Sequence, residues 1–336
     1  MREALLGQAR ACAELGSPMY AELLTRAADD PGTAVADVLD GRTAPGSVLG
    51  MLATVHRLVL EGLAPDLAAY YPTAGGTKDP LDAWPAFRDV LIRQAIHVRG
   101  RLDDPPRTNE VGRAAPLVGG LLTVSAATGL PIRLLEIGTS AGLNLRADHF
   151  RILYEGGAYG PESPVVLPDA WRGPLPPVDA PLTVAVRRGC DIWPMDATSG
   201  TAQGVLLSYV WPDQAARVAR LRAAFEMAAR VPARVVAGSA AEVLEHVTPQ
   251  EGVATVVWHS TMWPYLPADE AALALEHLER AGKAATAAAP FAHLSFEGRR
   301  PDRLDVAHVL TLRLWPGGEP RVLAEAPSHG LPTTWL

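Results

Sequence analysis

Through the first 130 or so residues the apolar positions recur at helical spacing. Leu5, Ala9, Cys12 and Ala13 share one face, and Met19, Leu23, Leu24 and Ala27 share another. Phe87, Val90, Leu91, Ala95, Val98 and Leu102 form a third set. Steps of three and four residues return a side chain to the same side of a helix, so each set predicts an amphipathic helix. The stretches Asp29-Asp30-Pro31-Gly32 and Pro72-Thr73-Ala74-Gly75-Gly76 punctuate the region. A further helix is expected over 111–128, closed by Gly129 and Pro131. No convincing strand pattern precedes Ile132.

From Ile132 the period changes. Residues 134–137 are a short apolar run that ends in a glycine turn, and 149–155 alternate until Gly156-Gly157. A loop-rich insertion over about 156–182 follows, with seven prolines from Pro161 to Pro181. Residues 182–186 read as a strand inside it. Residues 212–230 predict a helix with proline at its start. Strands are expected at 234–237 and 255–258, with a helix over 240–246 between them. A helix at 269–281 and a strand near 289–296 come next. The runs 308–315 and 321–326 flank Pro316-Gly317-Gly318-Glu319-Pro320, the spacing of a β-hairpin with a longer loop. Alternating strands and helices imply a mostly parallel sheet covered by helices. The predicted class is therefore α/β: a helical N-terminal region over 1–130, then a mostly parallel sheet over 131–336 with a C-terminal antiparallel hairpin.

Composition narrows the function classes. The chain has 336 residues, a formal net charge of −7 and two cysteines. An acidic balance with no basic block argues against nucleic acid as the main partner, because phosphate contacts need clustered Lys and Arg. Cys12 and Cys190 supply neither a disulfide framework nor a Cys-rich zinc site, and both read as small buried hydrophobes. The first ten residues lack a signal peptide's apolar core, and no run approaches the roughly 20 apolar residues of a membrane span. The default expectation is a cytoplasmic protein acting on a small molecule, with no membrane partner. The histidines show no metal-ligand spacing, so no metal is expected; Asp191 and Asp196 alone are weak evidence for one.

The candidate chemistry centres on Leu134-Leu135-Glu136-Ile137-Gly138-Thr139-Ser140-Ala141-Gly142-Leu143-Asn144. A buried strand that bends sharply into a helix presents backbone N–H groups to a ligand. Two readings compete. Glu136, Gly138, Ser140 and Gly142 stand two residues apart, which resembles the first motif of Rossmann-like methyltransferases that use S-adenosylmethionine (SAM), with Ser140 in place of the middle glycine. That resemblance implies a SAM site built from Glu136, Gly138, Ser140, Gly142 and Asn144. It implies that Glu155, at the end of the second strand, accepts the ribose hydroxyls, and that Ser239, after the third strand, stands near the adenine. The same turn also matches the G-x-S-x-G elbow of hydrolases, with Ser140 as nucleophile and Asp213 and His329 as partners by chain order. Two features oppose this: no strands precede the turn, and Glu136 would be an unpaired carboxylate in a buried strand.

Other residues join the site by position. His259 and Ser260 follow the strand expected at 253–258, and ligands bind outside the carboxyl ends of strands in open α/β sheets. His259 is the first candidate for a general base, with Tyr265 to orient an acceptor. Asn109, Glu110 and Arg113 open the helix before the glycine-turn strand. Arg113 is suited to grip a carboxylate, while Asn109 equally suits a helix cap. Asp148 lies a helical turn after Asn144 and either reaches a ligand or pairs with Arg151. Asp213 most simply caps the helix that follows it.

These segments, with Thr108-Asn109-Glu110-Val111-Gly112-Arg113, Arg188-Gly189-Cys190-Asp191-Ile192-Trp193-Pro194-Met195-Asp196, Val210-Trp211-Pro212-Asp213-Gln214 and His259-Ser260, resemble a bacterial family, domain of unknown function 2332, nearly end to end. The resemblance implies the fold and the place of a site, but no reaction. The function expected is a SAM-binding enzyme that transfers a methyl group to a small molecule. Alternatives are a relative with cyclisation or elimination chemistry, or a non-catalytic binding protein.

Overall fold

The structure is a computed structural model, in which residues 1–30, 32, 34–104, 106–299 and 307–336 are described. Pro31, in the first punctuation stretch, lies outside the described residues. The chain opens with the α-helices α1 (Arg2–Glu14), α2 (Pro18–Asp29), α3 (Ala34–Leu39), α4 (Pro45–Leu60), α5 (Pro65–Ala68), α6 (Trp84–Arg93) and α7 (Ala95–Arg99). Helix α8 (Ala114–Thr128) leads into β1 (Ile132–Ile137). The strands β2 (Arg151–Tyr154), β3 (Gly157–Tyr159), β4 (Val166–Leu167), β5 (Trp171–Arg172) and β6 (Val184–Asp191) follow. Next come α9 (Gly200–Ser208), α10 (Ala215–Arg230), β7 (Arg234–Ala237), α11 (Ala240–Glu245), β8 (Ala254–Ser260) and α12 (Ala268–Lys283). The chain closes with β9 (Phe291–Gly298), β10 (Ala307–Trp315), β11 (Pro320–Pro327) and β12 (Thr333–Trp335).

Two compact units result. The helical unit comprises Met1–Thr108 with Ser199–Arg222, and the α/β unit comprises Asn109–Thr198 with Ala223–Leu336. The helical unit thus stops before residue 130, and it takes in a later stretch that no local pattern assigns to it. Its core gathers Leu5, Cys12, Met19, Leu24, Val55, Phe87 and Trp211. Ser17 caps α2 by accepting the Tyr20 N–H, and Pro18 sits in the first turn, where its missing donor costs nothing. Asp213 accepts from the Ser17 hydroxyl (2.6 Å) and the Met19 N–H (2.9 Å), so its carboxylate organises the start of α2 rather than its own helix. The apolar set over 87–102 forms two helices, not one, because Gln94 leaves helical geometry at φ −111°.

The α/β unit is built on a nine-stranded sheet in the order β5-β12-β11-β10-β9-β8-β1-β6-β7. Strands β7, β6, β1, β8 and β9 run parallel, and β9, β10, β11 and β12 form an antiparallel meander. The parallel part has the order of a doubly wound sheet. Leu135, Ile137, Val257 and Phe291 pack beneath α11 and α12 through Leu244, Ala274, Leu278 and Ala281. The alternate residues face α8. Helix α8 lies close because Gly119 meets the Trp335 indole and Gly120 meets Leu294, where a Cβ would collide. The segment Val111–Thr128 is long and apolar enough to cross a membrane by composition; here it is mostly buried as a core helix.

One strand assignment is corrected. The second strand of the sheet is β6, at the end of the Pro-rich insertion, while β2 belongs to a separate small sheet ordered β3-β2-β4. The alternation in 149–155 identifies a strand but does not say which sheet it joins.

Candidate active site

The carboxyl ends of β1, β6 and β8 define the site. Strand β1 pairs with β6 on one side and β8 on the other, so the chain leaves β1 in one direction and later returns on the opposite side. Loops diverge at such a switch point and leave a crevice. The turn after β1 is built from left-handed residues: Gly138 (φ +67°), Ser140 (φ +54°) and Gly142 (φ +67°). Glycine takes this conformation freely, whereas Ser140 pays about 1 kcal/mol for it. Asp191, the last residue of β6, holds Ser140 there by accepting its N–H at Oδ2 (2.8 Å), and its Oδ1 accepts from Trp193 (2.9 Å). The Met195 N–H closes onto the Ser140 carbonyl (3.1 Å). The polar contact of Ser140 Oγ is Met195 Sδ at 4.0 Å.

Glu136 is only 3% exposed. Its Oε2 accepts from the Thr139 hydroxyl (2.5 Å), and the Trp258 indole lies near without making a full hydrogen bond. Loss of water raises its pKa to about 7, an effect that Thr139, Trp258 and Arg146 only partly oppose. The carboxylate therefore faces the sheet interior beneath the turn and does not present itself to a ligand.

A seam of polar residues ties the elements around the turn together. Asn109 Oδ1 accepts the Leu143 N–H (2.9 Å), which caps the 3₁₀ turn Leu143–His149 in trans. Asn144 Nδ2 donates to the Glu110 carbonyl (3.1 Å), while among the described residues its buried Oδ1 has no partner. Glu110 Oε1 accepts the Gly112 N–H (3.0 Å). Arg113 donates from Nε to the Ser328 carbonyl (2.9 Å) and from Nη1 to the Ser260 carbonyl (3.5 Å), joining the end of β8 to the C-terminal segment. The structure thus brings Asn109, Glu110, Arg113, Gly142, Asn144 and the end of β8 into one region.

At the end of β8, His259 Nδ1 lies 2.8 Å from Glu297 Oε1, and its Nε2 lies 2.9 Å from His293 Nε2. A carboxylate only accepts, so the proton sits on His259 Nδ1. Glu297 Oε1 also accepts from the Met262 and Trp263 N–H groups (3.1 and 3.4 Å). Trp263 packs on the His259 ring at 4.8 Å. Burial, then the charges of His259 and Arg313, hold His293 well below the usual histidine range. His259 is thus sealed into a Glu–His–His chain with both nitrogens engaged, and it reaches no substrate without a rearrangement.

The remaining sequence candidates lie elsewhere. Glu155 follows β2 in the separate sheet, so Asp191, not Glu155, ends the strand beside the glycine turn. Ser239 forms a capping box with Glu242 at the start of α11. Tyr265 is about half exposed in the turn Trp263–Tyr265. Asp148 pairs with Arg187, not Arg151. Asp196 accepts from the N–H and hydroxyl of Thr198 in a local turn (2.9 and 2.7 Å). Among the described residues no three His, Cys, Asp or Glu side chains are grouped to hold a metal. Glu297 and His293 escaped the sequence reading although β9 signals them: His293, Ser295 and Glu297 alternate with apolar residues along one face.

The family model of uncharacterized proteins conserved in bacteria, domain of unknown function 2332, matches residues 2–335. No curated protein matches the chain.

Proposed function

The chain belongs to that bacterial family, domain of unknown function 2332, and we propose that it binds SAM in the crevice beside the glycine turn and transfers its methyl group to a small molecule. The observation that carries this reading is Asp191. An acid ending the strand next to the turn is the group that accepts ribose hydroxyls in nucleoside sites of doubly wound sheets. Each Asp191 oxygen holds one backbone N–H and keeps a second lone pair for a ligand. Gly138 is exposed, which leaves the backbone of the turn approachable. Ile192 and Trp193, each about half exposed, directly follow Asp191 and offer apolar surface to a base.

The residues fit the nucleoside end of SAM better than its methionine end. Glu136 is turned inward, and Met262 packs over Gly138 where a side chain would otherwise point. The Ser239 hydroxyl is engaged with the Glu242 N–H (3.3 Å). When bound, SAM would supply an electrophilic methyl group, and the protein's part is to align the acceptor with it. Because both nitrogens of His259 are engaged, the acceptor suited to this site is one already nucleophilic, such as a neutral amine or a thiolate, which needs no base at that position.

Titration calorimetry with SAM and S-adenosylhomocysteine tests the reading. Binding is expected for both, weakened about tenfold or more in Asp191→Asn, which loses a charged acceptor. Trp193→Ala, which leaves the Asp191 carboxylate in place, is expected to weaken both ligands less. No heat with either ligand, from protein that melts cooperatively, overturns the proposal.

A further inference from the structure

A second region of the α/β unit carries an unexplained charge arrangement. A groove of about 430 Å³ lies where β1, β6 and β7 meet α11. Leu135, Val236, Leu244 and Val247 give it apolar walls, and Arg133, Arg188 and Arg234 stand in it. The strand register explains how the three arginines gather. Arg188 pairs directly with Arg234 and with Leu135, and Arg133 lies two residues before Leu135 on the same face. Three guanidinium groups thus come from three neighbouring strands, with backbones spread over about 10 Å.

Like charges placed opposite one another across strands are destabilising, so this arrangement needs a reason. Protection of a sheet edge explains Arg234, because β7 is an edge strand. It does not explain Arg188 or Arg133, which sit on interior strands where both edges are already paired. Internal ion pairing does not explain them either. Arg133 Nη1 donates to the Thr248 carbonyl (2.9 Å). Among the described residues Arg188 and Arg234 have no carboxylate partner. Two acids line the groove, and both are engaged elsewhere: Glu136 accepts from the Thr139 hydroxyl, and Glu242 accepts the Ser239 N–H in the capping box. Burial, and after it the neighbouring Arg188, disfavour the charge on Arg133. This is a local basic site on a chain of net charge −7.

We propose that this groove is a second ligand site, for a small polyanion carrying at least two phosphate or carboxylate groups. Guanidinium forks match either group bidentately, and the volume lies in the range of small-molecule sites, about 300–1,000 Å³. The three arginines have no part in the SAM reading, so each proposal stands or falls alone.

Calorimetry with inorganic pyrophosphate and with citrate separates the two chemistries. At least one probe is expected to bind, and the tighter one names the anionic group. Arg188→Gln and Arg234→Gln are each expected to weaken binding about tenfold or more. Arg188→Gln without ligand is expected to melt no lower than the wild type, because a repulsion is relieved. Failure of folded wild-type protein to bind either probe overturns the site. So does affinity unchanged in the Arg188→Gln/Arg234→Gln double variant, or heat reproduced by chloride at matched ionic strength. A lowered melting temperature for Arg188→Gln makes that guanidinium a structural group and also overturns it.

Discussion

Glu136 keeps its proton to about pH 7 because the interior of the sheet withholds water from its charged form. Its unfolded value is the ordinary 4.5, so between these two pH values the folded chain binds more protons than the unfolded one. Stability from this group is therefore full below about pH 4.5, declines as pH rises, and is gone above about 7. A shift of this size corresponds to about 3 kcal/mol. Glutamine keeps an acceptor for Thr139 and never ionises. Glu136→Gln is thus expected to be close to wild type in urea unfolding at pH 5, and more stable by about 3 kcal/mol at pH 8. Taking the difference between variant and wild type cancels the other titrating groups. An unchanged difference between the two pH values would show that Glu136 is already ionised at neutrality. The spacing of the motif marked Glu136 as unusual. Its inward aim is equally a matter of alternation, since Leu135 and Ile137 face α11 and α12 and leave Glu136 the other side. Ser239 teaches the same distinction between position and role. Its place after β7 was readable, and its capping box with Glu242 explains it without a ligand. Ser239→Ala is expected to cost about 1 kcal/mol in thermal or urea unfolding and to leave SAM affinity unchanged.

Among elements, the loop after β8 depends on one carboxylate from β9. Glu297 accepts from His259, Met262 and Trp263, and so fixes the backbone where Thr261 turns left-handed at φ +54°. Glu297→Ala leaves a buried imidazole N–H and two backbone donors without an acceptor, which is expected to cost about 3 kcal/mol. Hydrogen exchange at Met262 and Trp263 is expected to accelerate strongly in this variant, with Glu297→Gln intermediate. Wild-type protection at both amides in Glu297→Ala would remove the loop-holding role. The periodic elements were legible before the fold was known: β1, β7, β8, β10 and β11, and the helices α1, α2, α8 and α12, lie where the patterns put them. One helix was hidden and one strand only half legible, each for a physical reason. Helix α4 buries Val48, Met51, Leu52, Val55, Leu58 and Val59 and has no sharply polar stripe, so periodicity does not mark it. The strand read over 182–186 is the start of β6, but its run on to Asp191 and its placement beside β1 rest on long-range pairing that no local signal carries. Because Asp191 lies at its end, the sequence shows that acid but not its place beside the glycine turn.

At the scale of the molecule, two units with different buried histidine chemistry share one chain. In the helical unit His56 is fully buried. Its Nδ1 donates to the Ser208 carbonyl (3.1 Å), and its Nε2 accepts from the Thr73 hydroxyl (2.7 Å), so the neutral form fits the site. Burial lowers its pKa from 6.5 to about 4. Between those values the unfolded chain binds the extra proton, so the unit is most stable above about pH 6.5 and weakens as pH falls towards 4, by about 3 kcal/mol in all. In the α/β unit the buried His293 acts in the same direction, but Glu136 acts in the opposite one, and their slopes oppose across this range. Acidification is therefore expected to loosen the helical unit first. Hydrogen exchange read peptide by peptide at pH 7 and pH 5 is expected to show protection falling over α1, α2 and α4 while β1 and β8 change little. In His56→Asn, whose amide still donates towards Ser208 but does not titrate, the helical unit is expected to be weaker at pH 7 and far less sensitive to pH. If the variant retains the full acid sensitivity, the burden lies on other groups. If β1 and β8 lose protection in step with α1, the two units unfold as one and the separate titration of each loses its meaning.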